Sequence, residues 1–227
     1  MTQYDQSKKD VLAACLWLSE HGYFGSQRGS GGNVSVRGDG AAMVITPSSL
    51  PYHQMSPNDL FVLGLDLAMI EGQSSLKPSV EAGMHSVIYR HRPDVNAVVH
   101  THQTFGSVFA LLNAPIPALF DEVAFALGSM VEIIPYALSG SQELVNNVET
   151  KLANHANAYV IQNHGILALG KNLEKAILHA ELLEKIAQVY CLALSTGKPV
   201  SQLPQAVVDL VKAMRDHEVK QAGGGKA

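Results

Sequence analysis

The sequence predicts an α/β fold in which a central, largely antiparallel sheet is covered by helices. Three observations carry this reading. Short β-branched runs neighbour one another without a helix between them, at NVSVR followed by MVIT and again at AYVIQ followed by ILAL. Neighbours of that kind pair directly instead of through βαβ crossovers. Segments of helical period stand among these runs and at both ends of the chain. With 227 residues, 47% of them hydrophobic, one domain can bury a sizeable core without disulfide staples.

Taken in order, Ser7–Glu20 reads as an amphipathic helix, with Val11, Leu12, Cys15, Leu16 and Ser19 on one side and Ser7 with Asp10 spaced as a capping box. The glycine-rich stretch SQRGSGGNVSVRG follows, and Val34 and Val36 alternate in its second half as in a strand whose return is Met43–Thr46. Thr46-Pro47-Ser48-Ser49 is a turn, because proline lacks a donor and fixes its backbone angle. Leu60–Asp66 is a further strand. From Pro78 the period becomes helical, with Val80, Met84, Val87 and Ile88 on one face, Pro78 in the first turn and Pro93 beyond the end. Asn96–Thr101 is β-rich, Thr104–Leu112 a helix, Val131–Ile134 a strand and Gln142–Asn154 a helix. Ala158–Gln162 and Ile166–Leu169 are strands flanking the turn Asn163-His164-Gly165. Long helices at Leu173–Ser195 and Gln205–Lys220 close a single domain spanning 1–222, and 223–227 is expected to be a disordered tail.

The formal net charge of −4, without any Lys/Arg-rich run, argues against nucleic acid as a partner. The start MTQYDQSKKD has no apolar signal core and no apolar stretch is long enough to span a bilayer, so no membrane role is expected. Cys15 and Cys191 are too few for a disulfide framework and fall in apolar helical patterns, which suits a reducing cytoplasm. Charged residues make up only 16%, which suggests that part of the surface is hidden in a homo-oligomer.

The chemistry concentrates in histidines. His100 and His102 sit two apart in the apolar run AVVHTHQ, and residues i and i+2 of a strand point to one face. A lone core histidine is more often a hydrogen-bonded structural residue, whereas two on one strand face can converge on a single ion. His164 lies in the turn QNHG, where Gly165 lets the backbone bend sharply enough to aim the imidazole back over the sheet. Three neutral nitrogens leave a divalent ion with open positions. His21, His91, His155 and His217 stand near helix ends or in polar segments as solvated residues, and His179 belongs to a packed helix.

Glu81 follows Lys77-Pro78-Ser79 at a helix start, where the dipole favours its charge, and His85 is one turn on along the same face. The plain alternative is a helix-start glutamate with no further role; near a metal it can ligate or take a proton. Gly29-Ser30-Gly31-Gly32-Asn33 offers backbone N–H groups and an amide to an anion, but no Gly-Lys-Ser/Thr makes it a P-loop.

In order along the chain, GSGGNVSVR, VITPSSLPY, KPSVEAGMH, DVNAVVHTHQ, IIPYALSGSQEL, IQNHGILALG and NLEKAILHAELLEKIAQVY resemble the class II aldolase/adducin family from roughly Leu12 to Tyr190. The resemblance implies a three-layer α/β/α fold and a homotetramer with sites between subunits. It implies zinc, or alternatively manganese, on His100, His102 and His164, with Glu81 ligating the resting metal and shuttling the substrate proton. It further implies anion-binding positions at Asn33, Ser48, Ser49, Ser79 and Val80. This chain departs from the pattern where Ser49 replaces a glycine, Val80 a second serine and Asp121 a tyrosine, and where a C-terminal tyrosine is lacking. Arg28 and Lys77 are additional cations, and Asp121-Glu122 puts acid where dehydratases of the family carry a catalytic glutamate.

The resemblance thus implies a lyase that makes or cleaves a C–C bond of a short anionic keto sugar, foremost a sugar phosphate, through a metal-stabilised enediolate. A decarboxylase or dehydratase acting on a related oxo acid or sugar phosphate would pass through a similar enolate. An adducin-like scaffold is the non-enzymatic alternative, and the intact His100, His102, His164 and Glu81 speak against it.

Overall fold

The computed structural model describes residues 3–26 and 28–224. Its strands are β1 (Asn33–Gly38), β2 (Ala42–Ile45), β3 (Phe61–Gly64), β4 (Met69–Glu71), β5 (Ala97–Thr101), β6 (Ile116–Pro117), β7 (Met130–Ile134), β8 (Ala158–Ile161) and β9 (Gly165–Gly170). They form one sheet in the order β4-β3-β2-β1-β5-β9-β8-β7-β6. All pairings are antiparallel except that of β7 with β8. The helices are α1 (Asp5–Glu20), α2 (Ala82–His91), α3 (Thr104–Leu112), α4 (Asp121–Leu127), α5 (Gln142–Lys151), α6 (Leu173–Ser195) and α7 (Gln205–Gly224).

The two-residue period of the strands divides the core. Val34, Val44, Ala97, Val99, Val160 and Ile166 pack with residues of α1, α3, α4 and α6, while Met43, Ile45, Val98, Ile161 and Leu167 pack with those of α2 and α5. Helices therefore cover both faces, giving a three-layer α/β/α arrangement. No described helix is long and apolar enough to cross a membrane.

Several local expectations change. α1 begins at Asp5 behind Tyr4, which makes no side-chain cap. Ser7 thus lies inside the helix, and Asp10 accepts from Gln6 Nε2 at 2.7 Å instead of closing a capping box. α2 starts at Ala82, not at Pro78. The preceding residues are drawn into extended pairing with the Thr46–Ser49 turn: Ser48 N–H donates to Lys77 O (2.8 Å) and Ser79 N–H to Thr46 O (3.0 Å). Val80 is consequently 63% exposed, away from buried Met84, Val87 and Ile88. The short elements β4, β6 and α4 are too brief for periodicity to reveal. Gly223 and Gly224 close α7, and residues 225–227 lie outside the described residues.

Candidate metal centre and anion cleft

His100 lies on β5, fully buried, on the face covered by α2. Its Nδ1 is 2.7 Å from Ile166 O on the neighbouring β9. A carbonyl only accepts, so Nδ1 carries the hydrogen and Nε2 presents its lone pair inward. His102 follows the strand end, where its N–H donates to Tyr23 O at 2.8 Å. The turn before β9 brings His164 over both. Position 165 must be glycine for this, because a Cβ there would stand 2.5 Å from His102 Cδ2 and from Thr101 O. Across β1, Gly32 has φ +71° and a Cβ would collide with His100 O and the Phe24 ring. The glycine-rich segment therefore lets the chain pass against the histidine strand, whatever it offers to an anion.

The three imidazoles converge. His100 Nε2 and His102 Nε2 are 3.0 Å apart, and the ligand atoms of His100, His102 and His164 all lie within 4.8 Å of one another. Burial, then the neighbouring His100 and His164, hold the His102 pKa at about 3; burial and His100 also lower that of His164. Converging ring nitrogens, two of them on histidines that resist protonation, are a cation site in chemical terms, and this donor set fits a divalent ion of borderline softness.

Glu81 completes the cluster, with Oε2 3.3 Å from His100 Nε2 and Oε1 3.2 Å from His164 Nε2. It is the N-cap residue of α2, yet its side chain makes no cap bond; Ser79 Oγ accepts from its N–H at 3.2 Å instead. The carboxylate is turned to the histidines, forgoing the usual interaction with the helix amides. Burial pushes its pKa up, but His100, His164 and hydrogen bonds from Asn33 and Ser139 outweigh it and hold the value at about 2. Those bonds are 2.7 Å from Asn33 Nδ2 to Oε2 and 2.8 Å from Ser139 Oγ to Oε1. Sequence reasoning gave Ser139 no role, and only the SGS run after β7 marked that loop. It also missed the buried polar row behind Asn33, where Asn33 Oδ1 meets His85 Nε2 (2.5 Å), His85 Nδ1 meets Ser35 Oγ (2.6 Å) and Ser35 Oγ meets Tyr89 OH (2.7 Å).

Beside α2 opens a cleft of about 670 Å³ whose lining includes Ser48, Ser49, Lys77, Ser79 and Val80. The paired extended segments described above form its wall, with Ser49 in a left-handed conformation at φ +60°. Four of the expected anion-binding residues are thus brought together, and Asn33 stands beside Glu81. Arg28 is exposed on the loop before the glycines. Asp121 and Glu122 are exposed at the start of α4. Glu122 lines a different hollow with Asn96 and Gly170, beside the ends of β5 and β9 away from the histidines, and lies 3.4 Å from Lys185. Within one chain, then, these two acids do not meet the triad.

Comparison with known proteins gives this site a context. Residues 9–191 match the family described as Class II Aldolase and Adducin N-terminal domain. The chain is 35% identical over 204 residues to an L-fuculose phosphate aldolase of Escherichia coli, covering 89% of this chain and 91% of that one. It is 37% identical over 176 residues to a 5-deoxy-D-ribulose 1-phosphate aldolase of Bacillus thuringiensis, covering 77% and 81% respectively. A solved L-fuculose 1-phosphate aldolase superposes with a TM-score of 0.83 at 31% identity, covering 91% of this chain and 94% of its own.

Proposed function

We infer the activity from one premise: the chain belongs to the class II aldolase and adducin family. It is an aldehyde-lyase that makes or cleaves a carbon–carbon bond of a sugar phosphate, the substrate class named for its relatives. The observation that carries this reading is the Glu81 carboxylate spanning His100 and His164 at 3.3 and 3.2 Å, next to a cleft lined by hydroxyls and Lys77.

His100, His102 and His164 would hold the divalent ion, zinc foremost and manganese as the alternative, with Glu81 as a further ligand at rest. When bound, such an ion draws electron density from substrate oxygens and offsets the negative charge that develops there. Glu81 is the base. Asn33 and Ser139 fix its two oxygens, so its aim is set before substrate arrives. The anion enters the cleft, where Ser48, Ser49 and Ser79 donate and Lys77 supplies charge, with Arg28 closing from the glycine loop. Val80 has no donor, so the grip differs from one built with serine there, and fuculose 1-phosphate is disfavoured. Asp121 and Glu122 act only across a subunit boundary, in a homotetramer of the cytoplasm.

The test is an assay of ketose 1-phosphates and 2-oxo acids with products identified by mass, before and after prolonged chelation. An aldehyde and a keto phosphate, formed only by protein carrying about one divalent ion per chain, is the expected result. Metal-free protein with full activity would sink the reading; loss of carbon dioxide or of water would turn it to a decarboxylase or a dehydratase.

A further inference from the structure

The polar row behind Glu81 is buried throughout: Asn33 is 5% exposed, Ser35 and His85 0% and Tyr89 1%. Its hydrogen positions follow from one fixed end. Carboxylate Oε2 of Glu81 only accepts, so the Asn33 amide nitrogen faces it and the amide oxygen faces His85. That oxygen in turn requires a hydrogen on His85 Nε2. Burial keeps His85 neutral, with a pKa near 3, and Nδ1 is then bare and accepts from Ser35 Oγ. Ser35 Oγ, having spent its hydrogen, accepts from Tyr89 OH. Each donor therefore points toward the carboxylate, and no link can be reversed without leaving a buried acceptor facing an acceptor.

We propose that His85 is a positioning residue for Glu81, acting through Asn33: as the Nε2–H tautomer it locks the Asn33 amide in the one orientation that donates to the carboxylate. It touches neither substrate nor the triad. An unlocked amide could turn over and set its oxygen against Oε2, which would swing the carboxylate away from His100 and His164. The proposal rests on Glu81 being the base, as inferred above, but its first test does not require that role.

Nitrogen-15 NMR of histidine-labelled protein reads the tautomer directly. A hydrogen on Nε2 and a bare Nδ1 at His85 are expected; the opposite tautomer, or an imidazolium near neutral pH, overturns the proposal whatever the protein catalyses. The second test is a double-mutant cycle read in kcat and in divalent-metal affinity measured by chelator competition. His85→Leu should lower kcat about ten- to a hundred-fold, the range for residues behind a metal ligand, with KM little changed. In an Asn33→Ala background the same substitution should change kcat and metal affinity less than about two-fold, because its target is gone. His85→Gln, whose amide can still donate to Asn33, should recover most of the loss. Equal losses in both backgrounds, or His85→Gln as impaired as His85→Leu, overturn the proposal. Wild-type protein inactive on every sugar phosphate would count against the aldolase reading alone, and the cycle would then be scored on metal affinity.

Discussion

Two hollows of equal size, about 670 Å³ each, sit at different places on this molecule. In the one between α4, α6 and α7, the arginines are held by the chain itself. Arg92, fully buried, donates to both oxygens of the lining residue Asp94 (2.8 and 2.7 Å), to Ala156 O (2.7 Å) and to the lining residue Asn157 at Oδ1 (2.9 Å). Arg215 is taken up by the carbonyls of Phe125 and Ala126 and by Glu218. In the cleft beside α2, Ser48 and Ser49 have a weak 3.3 Å contact with one another and Lys77 reaches into solvent. Volume does not separate the two places; what differs is that hydroxyls stay open beside α2 while the arginines at the other hollow are engaged. Satisfied polar networks hold a fold together, whereas donors and lone pairs left open are what a ligand can use.

Substitutions can break this contrast. The largest effect belongs to Glu81→Gln, which keeps shape and removes the proposed base; turnover should fall about 10²–10⁴-fold. Unchanged turnover with weakened metal binding would make Glu81 a ligand only. At the other hollow, Arg92→Met removes one partner of a buried pair and should cost about 3–5 kcal/mol of stability in urea unfolding, while kcat per folded molecule stays as it was. A fall in kcat there would erase the distinction between structural and functional networks. Lys77→Ala should lower kcat/KM about ten- to a hundred-fold, equivalent to losing about 1.5–3 kcal/mol of charge-assisted bonding to the anion, with Arg28→Ala changing it in the same direction. If both leave KM for the best substrate unchanged, the cleft does not bind the anion.

The smallest effect concerns acid. Burial lowers the His179 pKa to about 4, against the raising influence of its bond to Leu169 O. As pH falls, the unfolded chain protonates this residue first, near its ordinary value of about 6.5, while the native state refuses the proton until about 4. Its contribution is complete above 6.5 and is lost between 6.5 and 4. The urea midpoint should therefore drop between pH 7.5 and 5, and His179→Gln should flatten part of that slope. An unaltered slope would mean that other groups set it.

The convergence of the three imidazoles was legible because two histidines spaced i, i+2 on an apolar strand share a face, and because Gly165 after His164 advertises a tight turn. Glu81 was legible as a residue but not as an N-cap, since the pairing of residues 77–79 with the Thr46–Ser49 turn is a tertiary event. Ser139 lies 58 residues from the carboxylate it touches, and no local pattern carries that information. The row from Tyr89 to Asn33 escaped for the same reason: Ser35 reads as a polar residue on a half-exposed strand until α2 covers it. Asp121 and Glu122 were singled out by position alone, and in the fold they stand exposed at the start of α4, apart from the triad.

The sheet order has a consequence for biosynthesis. β9 is inserted between β5 and β8, although it follows β5 by more than sixty residues. Until residue 170 has left the ribosome, β5, a strand of five fully buried residues, has β1 on one side and an open edge on the other. An apolar strand with an unpaired edge is a template for association with other chains. Yield in a heterologous host should therefore depend on how quickly translation passes from α3 to β9, and truncated products ending before β9 should collect in the insoluble fraction.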